Sequence, residues 1–131
     1  MKRRTLLVVA LSILVAAALG VAATLAVRLE PPPRDIVLTA RGMAFYLEGD
    51  DTPNPAIRVR EGEYVRFILR NEAPGFYHDL AIPDLHAAVD PVPAGESRAF
   101  VVRIPRLAGP IKYHCRPHGQ MMSGLILPEG S

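Results

Sequence analysis

Tyr113-His114-Cys115-Arg116-Pro117-His118-Gly119-Gln120-Met121-Met122-Ser123-Gly124 is the stretch on which the reading of this chain turns. It carries the only cysteine among 131 residues, with two of the four histidines and two of the four methionines. Thiolate sulfur, imidazole nitrogen and thioether sulfur between Cys115 and Met122 form a soft donor set, which selects copper over hard cations such as magnesium or calcium. One short loop supplies at most three such donors, so a fourth has to come from elsewhere. His78, in Phe76-Tyr77-His78-Asp79-Leu80, is the candidate.

The sequence on either side of this loop has the period of β-structure. Ile111, Tyr113 and Cys115 share one face of an alternating strand, and Lys112, His114 and Arg116 share the other. Cys115 is therefore expected to end a strand pointing inward. Residues 64–70 alternate too, with Val65, Phe67 and Leu69 on one face and Arg66 and Arg70 on the other. Residues 36–39, 43–47, 56–60, 97–104 and 125–127 are further strand candidates. Residues 48–55, Ala94-Gly95-Glu96 and Leu107-Ala108-Gly109-Pro110 have turn chemistry, and Glu61-Gly62-Glu63 has that of a hairpin turn. Residues 71–83 read as a loop that carries His78, with Pro74-Gly75 at its tip. No helical period exceeds two turns after residue 35, and there is no internal repeat. So many short strands in 97 residues imply an all-β, antiparallel sandwich or barrel.

The N-terminal part differs in kind. Residues 1–5 are a basic start, and residues 6–27 run 22 positions without a charge. At about 1.5 Å per residue such a helix is about 33 Å long, against a bilayer core of about 30 Å. One transmembrane helix is the expectation, acting as an anchor. A signal segment cut near Ala18-Leu19-Gly20 is the alternative, although signal cores are usually shorter. Basic residues before the span place residues 1–5 in the cytoplasm. The following domain is then extracytoplasmic, in a periplasm or at a cell surface, or secreted if the segment is cut. Residues 28–34 include Pro31-Pro32-Pro33, a stiff extended spacer, and residues 35–131 form the domain.

The formal charge of +2 misleads. From residue 35 onward there are 10 Lys+Arg and 12 Asp+Glu, which is no footprint for nucleic acid and no headgroup patch. A lone cysteine excludes an internal disulfide framework, and with it a binuclear copper site bridged by two thiolates. Asp50 and Asp51 belong to a solvated turn, since calcium needs more oxygen ligands than they offer. Cys115 and His118 lack the orienting third group of a nucleophile–base pair. There is no Gly-x-Ser-x-Gly elbow and no phosphate loop. A multicopper oxidase would need further histidine pairs. No enzymatic activity and no small-molecule substrate are expected.

Residues 35–131, and most closely residues 113–124, resemble the cupredoxins, the small blue-copper proteins. The resemblance implies a Greek-key β-sandwich in which an upstream histidine and a C-terminal Cys…His…Met loop hold one copper ion. The matching positions are His78, Cys115 and His118, with Met122 or Met121 as the weak axial ligand. Cys115-Arg116-Pro117-His118 has the Cys-x2-His spacing of the amicyanin, pseudoazurin and plastocyanin types. Amicyanin-like loops would point to Met121. The family's recurring Met-x-Gly, here Met122-Ser123-Gly124, points to Met122 and is favoured because the glycine sets the loop's exit. The family commonly has asparagine after the first histidine, tying the two ligand loops together. Asp79 stands there instead, and an ionised carboxylate only accepts hydrogen bonds. An Asp79–Arg116 pair is expected to replace that bridge.

By the same resemblance the chain is a one-electron carrier between exported or membrane redox partners, cycling Cu(I) and Cu(II). A copper delivery or storage protein that supplies an oxidase is the alternative. Partners would dock near His118, on a patch formed by Ala73, Pro74, Gly75, Phe76, Pro83, Pro117 and Met121. His114 and His86 are expected to be surface or structural residues.

Overall fold

Alternating side chains build the sandwich. The computed structural model describes residues 31–130. The basic start, the expected transmembrane span 6–27 and the beginning of the spacer lie outside them. Among the described residues no helix is long and apolar enough to cross a membrane. Nine strands follow in order: β1 Arg34–Arg41, β2 Ala44–Leu47, β3 Ile57–Val59, β4 Tyr64–Asn71, β5 His78–Ile82, β6 Ala87–Val92, β7 Ser97–Arg103, β8 Ile111–His114 and β9 Ser123–Pro128. In β4 the buried residues Val65, Phe67 and Leu69 alternate with the exposed Arg66 and Arg70, as one core face and one wet face demand.

One sheet has the order β2-β1-β4-β7 and the other β3-β9-β8-β5-β6. Ile36, Leu38, Phe45, Phe67 and Leu69 from the first meet Ile57, Leu80, Ile82, Tyr113 and Ile126 from the second in one core. Strand order departs from chain order because β2, β3, β4, β6 and β7 each hand the chain to the opposite sheet. These are crossovers of the Greek-key kind.

Three expectations need correction. The sheets are mixed, not purely antiparallel: β1 runs parallel to β4, and β3 parallel to β9. Glu61-Gly62-Glu63 makes no hairpin, because β3 and β4 belong to different sheets. It is a corner at which Gly62 takes φ +82°, a left-handed conformation that glycine adopts freely. The end of the supposed loop 71–83 is strand β5, and β6 follows it. All five β5 residues are buried, so the period-2 signal is absent. β6 contains Pro91, and the β5–β6 register shifts between His78 and Leu80. Proline is tolerated at such an edge irregularity because it has no N–H for the ladder.

β8 and β9 form the hairpin whose connection is the Cys115-to-Met122 loop. Tyr113 lies opposite Gly124. It is fully buried, and its hydroxyl donates to the Pro55 carbonyl at 2.7 Å. A Cβ on residue 124 would stand 2.4 Å from the tyrosine ring, so only glycine fits. Gly124→Ala should destabilise the metal-free domain by about 1–3 kcal/mol, the usual cost of overpacking. Urea unfolding checks this, and an unchanged midpoint would contradict it.

Glu63 closes the β3–β4 corner. Its carboxylate accepts from Arg34 Nη2 at 2.8 Å, Arg34 Nε at 3.0 Å and the Arg60 backbone N–H at 2.8 Å. The Arg34 hydrogen bonds, against some burial, hold its pKa below the ordinary 4.5. A depressed carboxylate stabilises the fold above its unfolded pKa and stops doing so as pH falls through the folded value. The stability gap between wild type and Glu63→Gln should therefore be full above pH 4.5 and close as the solution is acidified below it. Thermal melts across that window provide the measurement.

Candidate metal centre

β5 and β8 are neighbours, with Ala81 paired to His114. Carried two residues further, this antiparallel register sets Leu80 across from Cys115 and Asp79 across from Arg116. Alternation then turns His78, Leu80, Tyr113 and Cys115 inward, and Asp79, Ala81, His114 and Arg116 to the other face. His78 and Cys115 are both fully buried. His118 joins them because the loop folds back: its N–H donates to the Cys115 carbonyl at 3.2 Å, and the Met122 N–H donates to the His118 carbonyl at 2.9 Å.

The result is a compact donor set. Cys115 Sγ lies 3.8 Å from His78 Nδ1 and 3.5 Å from His118 Nδ1, and the three donor atoms are all within 4.8 Å of one another. Metal–sulfur bonds of about 2.3 Å and metal–nitrogen bonds of about 2.0–2.1 Å in a trigonal plane set sulfur and nitrogen about 3.7 Å apart. The observed spacings match, so the residues fit one metal ion. The soft sulfur and two imidazoles suit copper. Among the described residues no other group of three or more such side chains assembles.

Met122 is fully buried in the same cluster as Cys115, and Met121 is 56% exposed. Of the two axial candidates, Met122 is the one on the protein's interior. His114 is half-buried, with Nδ1 enclosed and unbonded, and His86 is exposed in a left-handed turn. Neither joins the donor set.

Electrostatics prepare these groups. Burial pushes the Cys115 thiol above its ordinary value, opposed by the Asp79 backbone N–H. Burial, helped by neighbouring His118, pushes the His78 imidazole below its own. The metal-free site is then a neutral thiol beside a neutral imidazole, which a dry pocket tolerates. A raised, enclosed thiol is also the reverse of a reactive nucleophile. The Asp79 N–H points at Cys115 Sγ at 3.5 Å.

The expected Asp79–Arg116 pair is present. Asp79 Oδ2 accepts from Arg116 Nε at 2.6 Å, and Oδ1 accepts from the Arg116 backbone N–H at 2.7 Å. The guanidinium also reaches the Val89 carbonyl at 3.3 Å. Asp79 is 2% exposed and Arg116 51%, so the arginine is the lid over a buried charge. The docking patch needs one correction. Ala73 is buried, its N–H held by Asn71 Oδ1, and cannot form surface. Phe76 (45%) and Tyr77 (63%) are exposed, and Tyr77 had no distinguishing signal in the sequence. Phe76 packs against both imidazoles, with ring centroids 6.2 Å from His78 and 6.4 Å from His118.

The chain matches no protein-family model and is similar to no curated protein. Solved structures do resemble it. Rusticyanin from Thiobacillus ferrooxidans aligns at a TM-score of 0.60 and 21% identity, over 72% of this chain and 76% of that one. Auracyanin from Roseiflexus castenholzii aligns at 0.58 and 14% identity, over 75% of this chain and 98% of that one. The copper-containing nitrite reductase of Thermus scotoductus aligns at 0.57 and 24% identity over 76% of this chain, which spans only 29% of the reductase. Similarity at this level establishes the fold, a cupredoxin-like β-sandwich.

Removing the lid should loosen the centre. Arg116→Ala leaves the Asp79 carboxylate with one partner, the backbone N–H of residue 116. Loss of a hydrogen bond to a charged group costs about 1.5–3 kcal/mol, and the half-exposed guanidinium places the effect at the lower end. Guanidinium unfolding of the metal-free variant should show that loss, and bound copper should dissociate faster. Unchanged stability together with unchanged copper retention would contradict the role.

Proposed function

We propose that this chain is a mononuclear type 1 copper protein that carries single electrons between redox proteins. The observation that carries the reading is the spacing of His78 Nδ1, Cys115 Sγ and His118 Nδ1 around one trigonal position at a buried end of the sandwich. His78, Cys115 and His118 would hold the copper ion, with Met122 as the remaining ligand from the core. Copper bound there supplies a one-electron couple. The packed strands hold the donors in one geometry for both oxidation states. The Asp79 N–H stabilises charge on the sulfur. Core packing around Cys115 and Met122 keeps water out. His118, only half-buried, is the way in and out for the electron.

A carrier is favoured over an enzyme because the matches that span most of both chains are rusticyanin and auracyanin. Rusticyanin is itself described as a copper protein. The nitrite reductase and a multicopper oxidase match over only 29% and 24% of their length. Protein partners dock where His118 emerges, beside exposed Phe76, Tyr77 and Met121. His118 also lines a surface groove of about 620 Å³ with Lys112, Arg116 and Met121. Residues 6–27 are taken as the membrane anchor, with the domain extracytoplasmic. The uncharged run and the preceding basic residues support this, and protease accessibility of the domain in intact cells tests it.

The purified chain loaded with Cu(II) should be intensely coloured by thiolate-to-copper charge transfer and should cycle reversibly. Cys115→Ser should abolish the colour and weaken copper binding by more than the roughly 10–100-fold typical of an outer-sphere change. A colourless copper complex in the wild type would overturn the reading. Bleaching on oxidation with ready loss of Cu(I) to a chelator would indicate a delivery protein instead.

A further inference from the structure

Asn54 is the residue outside the ligand loop that sets the loop's register, and we infer that it decides which methionine faces the metal. This rests on the copper reading above. Of the four main-chain polar groups of Met121 and Met122, three are bonded within the loop. Both N–H groups donate to the His118 carbonyl at 2.9 Å, and the Met122 carbonyl accepts from the Cys115 N–H at 3.0 Å. The fourth, the Met121 carbonyl, accepts from Asn54 Nδ2 at 2.8 Å, across 67 positions of sequence.

The other end of Asn54 is anchored in the core. Its Oδ1 accepts the Phe45 N–H at 3.1 Å, and its own N–H donates to the Phe45 carbonyl at 2.7 Å. Phe45 is fully buried, with its ring 5.7 Å from that of Tyr113. A donor facing a carbonyl and an acceptor facing an N–H fix the amide's orientation. Asn54 takes φ +50°, a left-handed conformation that asparagine tolerates better than most residues. Its backbone and both side-chain polar atoms are thus committed to one task.

The consequence is specific to the two consecutive methionines. Met121 and Met122 differ in chemistry only by position, and a one-residue shift of the loop exchanges them. The tether grips the peptide between them. It holds Met121 outward at 56% exposure and Met122 inward at 0%. Asn54 is therefore a positioning residue for the axial ligand.

The test uses the full chain with two variants. Asn54→Asp keeps an acceptor for the Phe45 N–H but loses the donor to Met121. Asn54→Gly keeps the left-handed backbone and loses both side-chain bonds. In metal-free protein, peroxide oxidation mapped by mass spectrometry reads methionine exposure. Met122 is expected to be protected in the wild type, to oxidise about fivefold faster in Asn54→Asp, the shift one lost hydrogen bond produces in a local equilibrium, and to oxidise at least as fast again in Asn54→Gly. Circular dichroism melts confirm that each variant is folded at the assay temperature. In copper-loaded protein the intensity ratio of the thiolate-to-copper bands and the reduction potential are expected to move together in both variants. Unchanged Met122 protection in Asn54→Asp, or an unchanged band ratio, overturns the assignment. If the wild type shows no such bands, the copper reading fails, and the metal-free oxidation pattern still decides whether Asn54 sets the register.

Discussion

The register between β5 and β8 is the constraint on which this molecule depends. One ladder pair, Ala81 with His114, decides that His78 and Cys115 point to the same interior. It also decides that Asp79 and Arg116 meet on the outside of the same sheet. A slip of one residue would turn the sulfur and its imidazole to opposite faces, because side chains alternate with a period of two. The centre is therefore a property of strand pairing as much as of the loop that carries most of its donors.

That pairing survives because several independent contacts agree with it. Tyr113 fills the space that Gly124 leaves open and bonds Pro55. Asp79 binds the backbone and the side chain of Arg116 at once. A buried carboxylate with one partner removed is costly, and here the charge also has a backbone N–H. Burial raises the Cys115 thiol and lowers the His78 imidazole, so both of these enclosed donors favour their neutral forms. Ligand geometry is held by packing and by main-chain hydrogen bonds that join Cys115, His118 and Met122 to one another.

The sandwich by itself does not define the work done. The same fold occurs in rusticyanin and auracyanin and, as a fraction of a longer chain, in a nitrite reductase. Folds host many functions, and function is argued from the site. Here the site's chemistry is confined to one buried end with a half-exposed imidazole. The aromatic side chain of Phe76 packs against both imidazoles.

The sequence by itself determined that this is a β-protein with one soft donor set. Alternation around Val65, Phe67, Leu69, Tyr113 and Cys115 is a local signal, and so are the residue types between Cys115 and Met122. The Asp79–Arg116 pair was also legible, since a lone acceptor and a lone donor each follow a ligand directly. What only the tertiary structure decided is non-local. β5 has no period because both its faces are covered, and the Pro91 irregularity hides β6. Parallel pairing of β1 with β4 and β3 with β9 leaves no mark in a strand's own composition. Asn54 looked like one residue of a solvated turn, because nothing near it in sequence says that its amide will meet Met121. Two adjacent methionines are chemically alike, and only the fold of the chain around them assigns one to the core and the other to water.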